Sequence, residues 1–218
     1  MSPTTSRPYA VAPSLAAFPL VRVYLPTTLP LLRGWLLAVT TPTGLTGFAV
    51  TPGLREWYAE GDAEELEWAA SVLAGRASLR LLASDPAAPC RRAVLAVEVP
   101  EGDVAPLDDL ERGAVRVARP VPLADWAAGL VDEEAARPVI VAAADSIDAA
   151  DLGDDDAEFL VSEAEDAELL WWATQELAGL TGGLSAAEDD AERSDQPSHE
   201  QPNHDQPSHD DQHPEASP

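Results

Sequence analysis

Lysine is absent from this chain, and all 13 basic residues are arginine. That excludes a Schiff-base lysine, a P-loop lysine and a kinase-type phosphate-binding lysine, because each of those chemistries needs an ε-ammonium. Histidine is missing from the apolar part of the chain; His199, His204, His209 and His213 all fall near the C-terminus. A Ser-His-Asp or Cys-His unit therefore cannot be assembled inside a folded core. Cysteine occurs once, at Cys90, with no partner for a disulfide and no CxxC motif. That usage points to a reducing, cytoplasmic compartment. Long apolar runs are lacking as well. The most apolar stretch, residues 29–39, carries Arg33 and is shorter than the roughly 20 residues a spanning helix requires. A secretory leader is equally hard to read, because Pro13 and Pro19 break the weak apolar run that follows Arg7. Isoleucine appears only at Ile140 and Ile147 while alanine is abundant, a bias typical of GC-rich coding.

Acid is what the chain has in excess. Its formal charge is −26. A field of that sign repels phosphate backbones and anionic lipid, so nucleic acid and membrane surfaces are excluded as partners and a basic protein partner is favoured. High net charge also serves solubility alone. Apolar residues run from Leu20 to Leu180 and stop after Leu184. The chain is expected to divide into an N-terminal extension over 1–19, one globular domain over 20–183, and a disordered acidic tail over 184–218.

Within the middle block, Val21–Leu25 reads as a strand ended by Pro26. Thr28 caps a helix in which Leu29, Leu32 and Leu36 share a face, with Pro30 in the first turn where its missing N–H costs nothing. A short strand follows over 47–50. Thr51-Pro52 opens a short helix that stops at Gly61. Asp62 with Glu65 three residues later forms a capping-box pattern. The helix it opens, over about 63–83, carries apolar stripes through Leu66, Ala70, Leu73 and Ala77 and through Trp68, Val72, Leu79 and Leu82; two stripes predict burial on most sides and a central position. Residues 93–99 are almost wholly apolar, as in a strand covered on both faces. Strands are also expected at 115–118 and at 123–132, and a helix over 138–150. Asp155 or Asp156 can cap a helix through Ala157, Leu160, Val161 and Ala164. Residues 169–172 fit either a last strand or a continuing helix. The sum is a mixed α/β layer fold: one sheet of about four to six strands with helices packed on it.

After Ala186 the chain repeats a polar pentad containing proline, in 195–199, 200–204 and 205–209. Such a repeat builds no core and is expected to stay disordered.

The strings Arg22-Val-Tyr-Leu-Pro26 and Ala49-Val-Thr-Pro-Gly-Leu-Arg-Glu-Trp-Tyr-Ala-Glu-Gly-Asp-Ala-Glu-Glu-Leu-Glu67, with Ser78-Leu-Arg-Leu-Leu82 and Leu169-Leu-Trp-Trp-Ala-Thr-Gln-Glu-Leu177, resemble a set of uncharacterised actinobacterial proteins grouped as a domain of unknown function. The resemblance spans roughly residues 21–180. It implies a bacterial, cytoplasmic protein and carries no activity to transfer. Members usually start with methionine at the position of Val21. Since GTG encodes valine internally, residues 1–20 are expected to be a mis-annotated extension. A native N-terminal peptide beginning with Met in place of Val21 would bear this out, and native peptides from 1–20 would refute it.

No catalytic residue and no cofactor is assigned. Candidate binding residues are Arg55, Trp57, Tyr58, Glu60 and Asp62, where an arginine, two aromatics and acids crowd a tight helix-to-helix corner. Trp57 and Tyr58 have a second reading as core anchors. Candidate metal ligands are Asp154, Asp155 and Asp156, in a carboxylate-rich stretch fitting hard cations, and His199, His204 and His209, whose spacing in a flexible tract fits Zn²⁺ or Ni²⁺. Helix capping and solvation are the favoured reading of the aspartates. Arg91 and Arg92 beside Cys90 are of the kind that lowers a thiol pKa, but the favoured reading is an incidental loop cysteine. Arg112, Arg116 and Arg119 form a modest basic patch that either holds an anion or makes surface salt bridges. The function expected is that of a cytoplasmic, non-enzymatic interaction or regulatory protein. The alternative is a hydrolase or transferase built on carboxylates and arginine, with or without a divalent metal.

Overall fold

In a computed structural model, residues 19–182 are described, Ala59 and Asp108 excepted. The 1–18 extension and the tail, with its candidate ligands His199, His204 and His209, lie outside the described residues.

The centre of the molecule is a pair of long antiparallel strands. β1 (Leu20–Thr27) runs against β3 (Ala93–Pro100) along its whole length. Both are rich in Val, Leu and Ala, the composition that suits a sheet interior. β2 (Leu45–Phe48) pairs with the other side of β1, and β6 (Trp126–Asp132) with the other side of β3. β5 (Ala114–Val117) and β4 (Val104–Pro106) extend the sheet beyond β2, and β7 (Leu169–Ala173) extends it beyond β6. The result is a seven-stranded sheet in the order β4-β5-β2-β1-β3-β6-β7, antiparallel throughout. The expected mixed α/β class stands, and the expected strand number of four to six is corrected to seven. β4 is the strand that escaped, because three residues are too few to display alternation.

One face of the sheet is covered by α3 (Ala63–Ser84), which buries Leu66, Ala69, Ala70 and Ala74 against Tyr24, Phe48, Val94 and Ala96. Its C-terminal half packs Leu79 and Leu82 on α4 (Arg137–Asp151) and α5 (Asp155–Glu165). The other face is covered by α1 (Leu29–Ala38), through Leu32 and Trp35, and by a helical turn over 177–182, through Leu177. Leu177 packs so closely on Gly129 that a Cβ there would collide with its Cδ2.

The local start signals act as expected. Thr28 caps α1, Thr51 caps the short α2 (Pro52–Trp57), and Asp62 with Glu65 forms a complete capping box on α3. The capping box satisfies N–H groups at Glu64, Glu65 and Asp62 that no helical carbonyl can reach. α1 ends on Val39, a β-branched residue in the left-handed region at φ 60°. The expected burial of α3 on most sides is observed from Leu66 to Ala83, with Trp68, 64% exposed, as the exception. Among the described residues, clefts open on the sheet face beside Trp68 toward β6 and β7, so the N-terminal end of one apolar stripe faces solvent.

Candidate functional site

A buried ion pair fixes one end of the sheet. Arg92, at the start of β3, and Asp132, at the end of β6, are both essentially inaccessible. The Asp132 carboxylate accepts from Arg92 Nη2 at 2.7 Å, from its Nε at 3.1 Å and from its backbone N–H at 2.6 Å. Arg92 Nη2 also donates to the Ala167 carbonyl at 2.8 Å, in the link between α5 and β7. Arg91 adds a bond from Nε to the Asp132 carbonyl at 2.9 Å. Nearby, the buried Ser78 hydroxyl of α3 donates to Thr27 O and accepts from Ala93 N. Together these polar bolts hold α3, β1, β3, β6 and the lead-in to β7 in one arrangement.

The surface they support lies on the α3 face toward β7. Trp68 of α3 and Trp171 of β7 are 64% and 65% exposed. Strand alternation puts Trp171 on the same face as Leu130, its partner in β6. Two adjoining clefts share Trp68, Ser71 and Leu130. The first, about 390 Å³, reaches Arg92 and is walled by Glu165, Asp166 and Glu168. The second, about 290 Å³, runs past Trp171 to Arg22, Tyr24 and Glu67. Arg22 is held by Glu98 at 2.6 Å and Glu67 at 3.5 Å. The Tyr24 hydroxyl donates to Glu67 at 3.4 Å, and burial, aided by the Glu67 charge, pushes its pKa up to about 12. The phenol is therefore neutral, a donor and not a base, across the physiological range.

The sequence-predicted corner has a different character. Arg55, Glu60 and Asp62 are exposed. Trp57 and Tyr58 are 62% and 41% exposed, which overturns their reading as core anchors. Arg112 stacks over Trp57 at 4.0 Å from the ring centroid, a cation–π contact. Asp62 is committed to capping α3. Arg55 lines a separate cleft of about 390 Å³ with Arg22, Glu67 and Glu101. The remaining arginines of the supposed basic patch are engaged as well: Arg119 pairs with Asp103, and Arg116 donates to the Gly44 carbonyl at 3.1 Å.

Asp154 caps α5, accepting from Ala157 N at 2.9 Å, while Asp155 and Asp156 point from its first turn into solvent. Among the described residues no group of three or more His, Cys, Asp or Glu is arranged to hold a metal ion. The neighbouring Asp151 and Glu158 are instead used by α3: Arg80 binds Asp151 at 2.7 Å, and Arg76 binds Glu158 at 2.7 Å and Glu165 at 3.1 Å. These arginines hold the Asp151 and Glu158 carboxyls below their ordinary range. Burial pushes the Glu111 carboxyl up, against the pull of Arg80 and Arg76. The Cys90 thiol is likewise pushed up, by burial. Arg91 and Arg92 turn away from it to Asp132.

Sequence reasoning missed Trp171 and the Arg92–Asp132 pair, and placed Trp68 in the core. The only available signal was weak: an arginine beside an almost wholly apolar strand must find a carboxylate if that strand is central. No helix among the described residues is long and apolar enough to cross a membrane. Residues 21–181 match the profile of a family of unknown function, DUF6912, and the chain belongs to that family. No curated protein and no solved structure matches it.

Proposed function

We propose that this member of a family without assigned activity is a non-catalytic interaction protein that docks a protein partner on the face carrying Trp68 and Trp171. The observation that carries the reading is the pair of tryptophans, Trp68 on α3 and Trp171 on β7, each about two-thirds exposed beside clefts lined by Glu67, Glu165, Asp166 and Glu168. Large aromatic side chains left in water are costly for a lone protein and are the side chains that dominate binding energy when covered. The corner of Arg55, Trp57, Tyr58, Glu60 and Asp62 is a secondary contact region in this reading, with Trp57 pre-positioned by Arg112. A cytoplasmic setting is in keeping with the single, half-buried Cys90.

A carboxylate–arginine enzyme is the second reading, favoured by one observation, the raised Glu111 carboxyl beside Arg80 and Arg76. Against it, Arg76, Arg80, Arg92 and Arg119 are each engaged by carboxylates within the fold and not free for a substrate anion.

The test is retention from native lysate on immobilised full-length chain, comparing wild type with Trp68→Ala/Trp171→Ala by quantitative mass spectrometry. Both side chains are exposed, so the double variant should fold with stability changed by about 0.5 kcal/mol or less per site. Proteins held by wild type should fall by about tenfold or more, the loss expected for removing more than 1.4 kcal/mol of binding energy. Equal retention by both chains would defeat the proposal.

A further inference from the structure

The two edges of the sheet are unlike. β4 is three residues long and ends in Pro106, which has no N–H to offer; such an edge is blunted against pairing. β7 is Leu-Leu-Trp-Trp-Ala, five residues with no charge, no proline and no glycine, and it ends the sheet with no strand beyond it among the described residues.

The backbone of β7 can be followed group by group. Asp132 N–H donates to the carbonyl of Arg92, just before β3, so at Asp132 the β6 backbone turns away from β7, and its partner Leu169 is in a non-hydrogen-bonded pair. At the far end, the Ala173 N–H donates at 2.8 Å to the Glu176 side chain and not to β6. Antiparallel alternation between these two ends leaves the N–H and C=O of Leu169 and Trp171 directed outward, away from β6. Ala173 is closed off by Glu176; the other two residues present an open ladder. That ladder is held in place by the Arg92 bond to Ala167 just before it.

Charge decides the occupant. Glu163, Glu165, Asp166 and Glu168 precede the strand and Glu176 follows it, with no basic residue between 138 and 182. A second copy of this chain would bring the same acids against themselves, which is repulsive in a protein of charge −26. An extended segment with alternating apolar and basic residues meets the opposite situation: its backbone closes the ladder, its apolar side chains meet Trp171 and Trp68, and its arginines or lysines meet the acids.

We infer that β7 accepts an extended basic segment of a partner protein as an eighth strand, paired through the outward backbone groups of Leu169 and Trp171. This rests on the interaction reading above and specifies its mode. The experiment selects a displayed library of random peptides on the immobilised full-length chain, then follows amide hydrogen exchange of that chain with the best synthetic peptide added. Enriched peptides should alternate apolar with Arg or Lys, and the Leu169 and Trp171 amides should slow by about tenfold or more. Trp171→Pro, which removes the outward N–H as well as the indole, should bind at least about tenfold more weakly than Trp171→Ala, which keeps it. Peptides that bind while these two amides exchange unchanged would overturn strand addition and leave the tryptophan-face reading intact. Enrichment of acidic peptides, or of none, would also overturn it, while retention by the Trp68→Ala/Trp171→Ala chain separately decides the broader reading. Slowing of the same amides in concentrated chain without peptide, with a doubled solution mass, would place a second copy on the edge and end the inference.

Discussion

Changing Asp132 to asparagine leaves shape almost untouched and removes the carboxylate that, among the described residues, answers the buried Arg92 guanidinium. The aspartate oxygens receive the backbone N–H, Nε and Nη2 of Arg92. Whichever way the amide is turned, one of those two oxygens becomes an NH₂ that faces N–H donors. The cation then retains one neutral acceptor from the asparagine and the Ala167 carbonyl. Arg92 is 1% exposed and Asp132 0%, so solvent meets the pair at most where Arg92 borders the first cleft and compensates little. Breaking such a pair from one side costs about 3–5 kcal/mol. For a folded body of this size that is a fall of about 6–20 °C in Tm. Urea unfolding followed by tryptophan fluorescence, with a parallel thermal scan, measures it. The companion variant Arg92→Met/Asp132→Asn discards the stranded cation while the asparagine oxygen still accepts the residue-92 N–H, and it should recover at least about 1 kcal/mol relative to Asp132→Asn alone. A loss below about 1 kcal/mol for Asp132→Asn, or a double variant worse than the sum of the singles, would refute the assignment of a buried and coupled pair.

Three further outcomes are expected. Since Asp151 and Glu158 have folded pKa values below their unfolded ones, the stability their arginines confer is fully present above the ordinary carboxylate range and drains as pH falls through the depressed folded values. General charge repulsion is relieved over the same range, so the measurement is the difference in urea midpoint between wild type and Arg76→Gln, which should shrink from about pH 6 to pH 3; a constant difference would count against the network. Val39→Gly should stabilise by about 1 kcal/mol, because glycine carries no Cβ penalty at φ 60°, and an unchanged or lowered midpoint would contradict that strain. Cys90, half-buried with its pKa raised by burial, should react with iodoacetamide at neutral pH more slowly than free cysteine, and a faster rate would reverse the expectation.

Helix boundaries were the most readable part of the sequence, because their chemistry is local. Thr28, Thr51 and the Asp62/Glu65 box mark three starts, and each is satisfied by atoms within three residues. The covered strand β3 was readable from composition, since a run such as Ala-Val-Leu-Ala-Val has no solvent-facing residue. What stayed hidden depends on neighbours distant in sequence. Leu169-Leu-Trp-Trp-Ala fits a helix or a strand until β6 is there to pair with it. Trp68 sits on an apolar stripe, and only the limits of α3 coverage leave it in water. The corner at Trp57 was legible as a place where aromatics and charges meet, but its exposure was not. Cys90 shows the same limit: adjacency to two arginines says nothing once both reach for Asp132.

The order β4-β5-β2-β1-β3-β6-β7 also bears on how the chain acquires its structure. Its longest pairing joins Leu20–Thr27 to Ala93–Pro100, with α1, β2, α2 and α3 synthesised between them. The first strand off the ribosome therefore waits, apolar and unpaired on that side, until α3 has been made, and the neighbour of β3 arrives later still. Long-range pairings of this kind slow two-state folding toward the millisecond-to-second range, since the loop must close before any contact repays it. α3, capped at its start and able to form early, is the natural scaffold on which the waiting strand condenses. Weakening the Asp62 cap should then retard refolding more than it hastens unfolding.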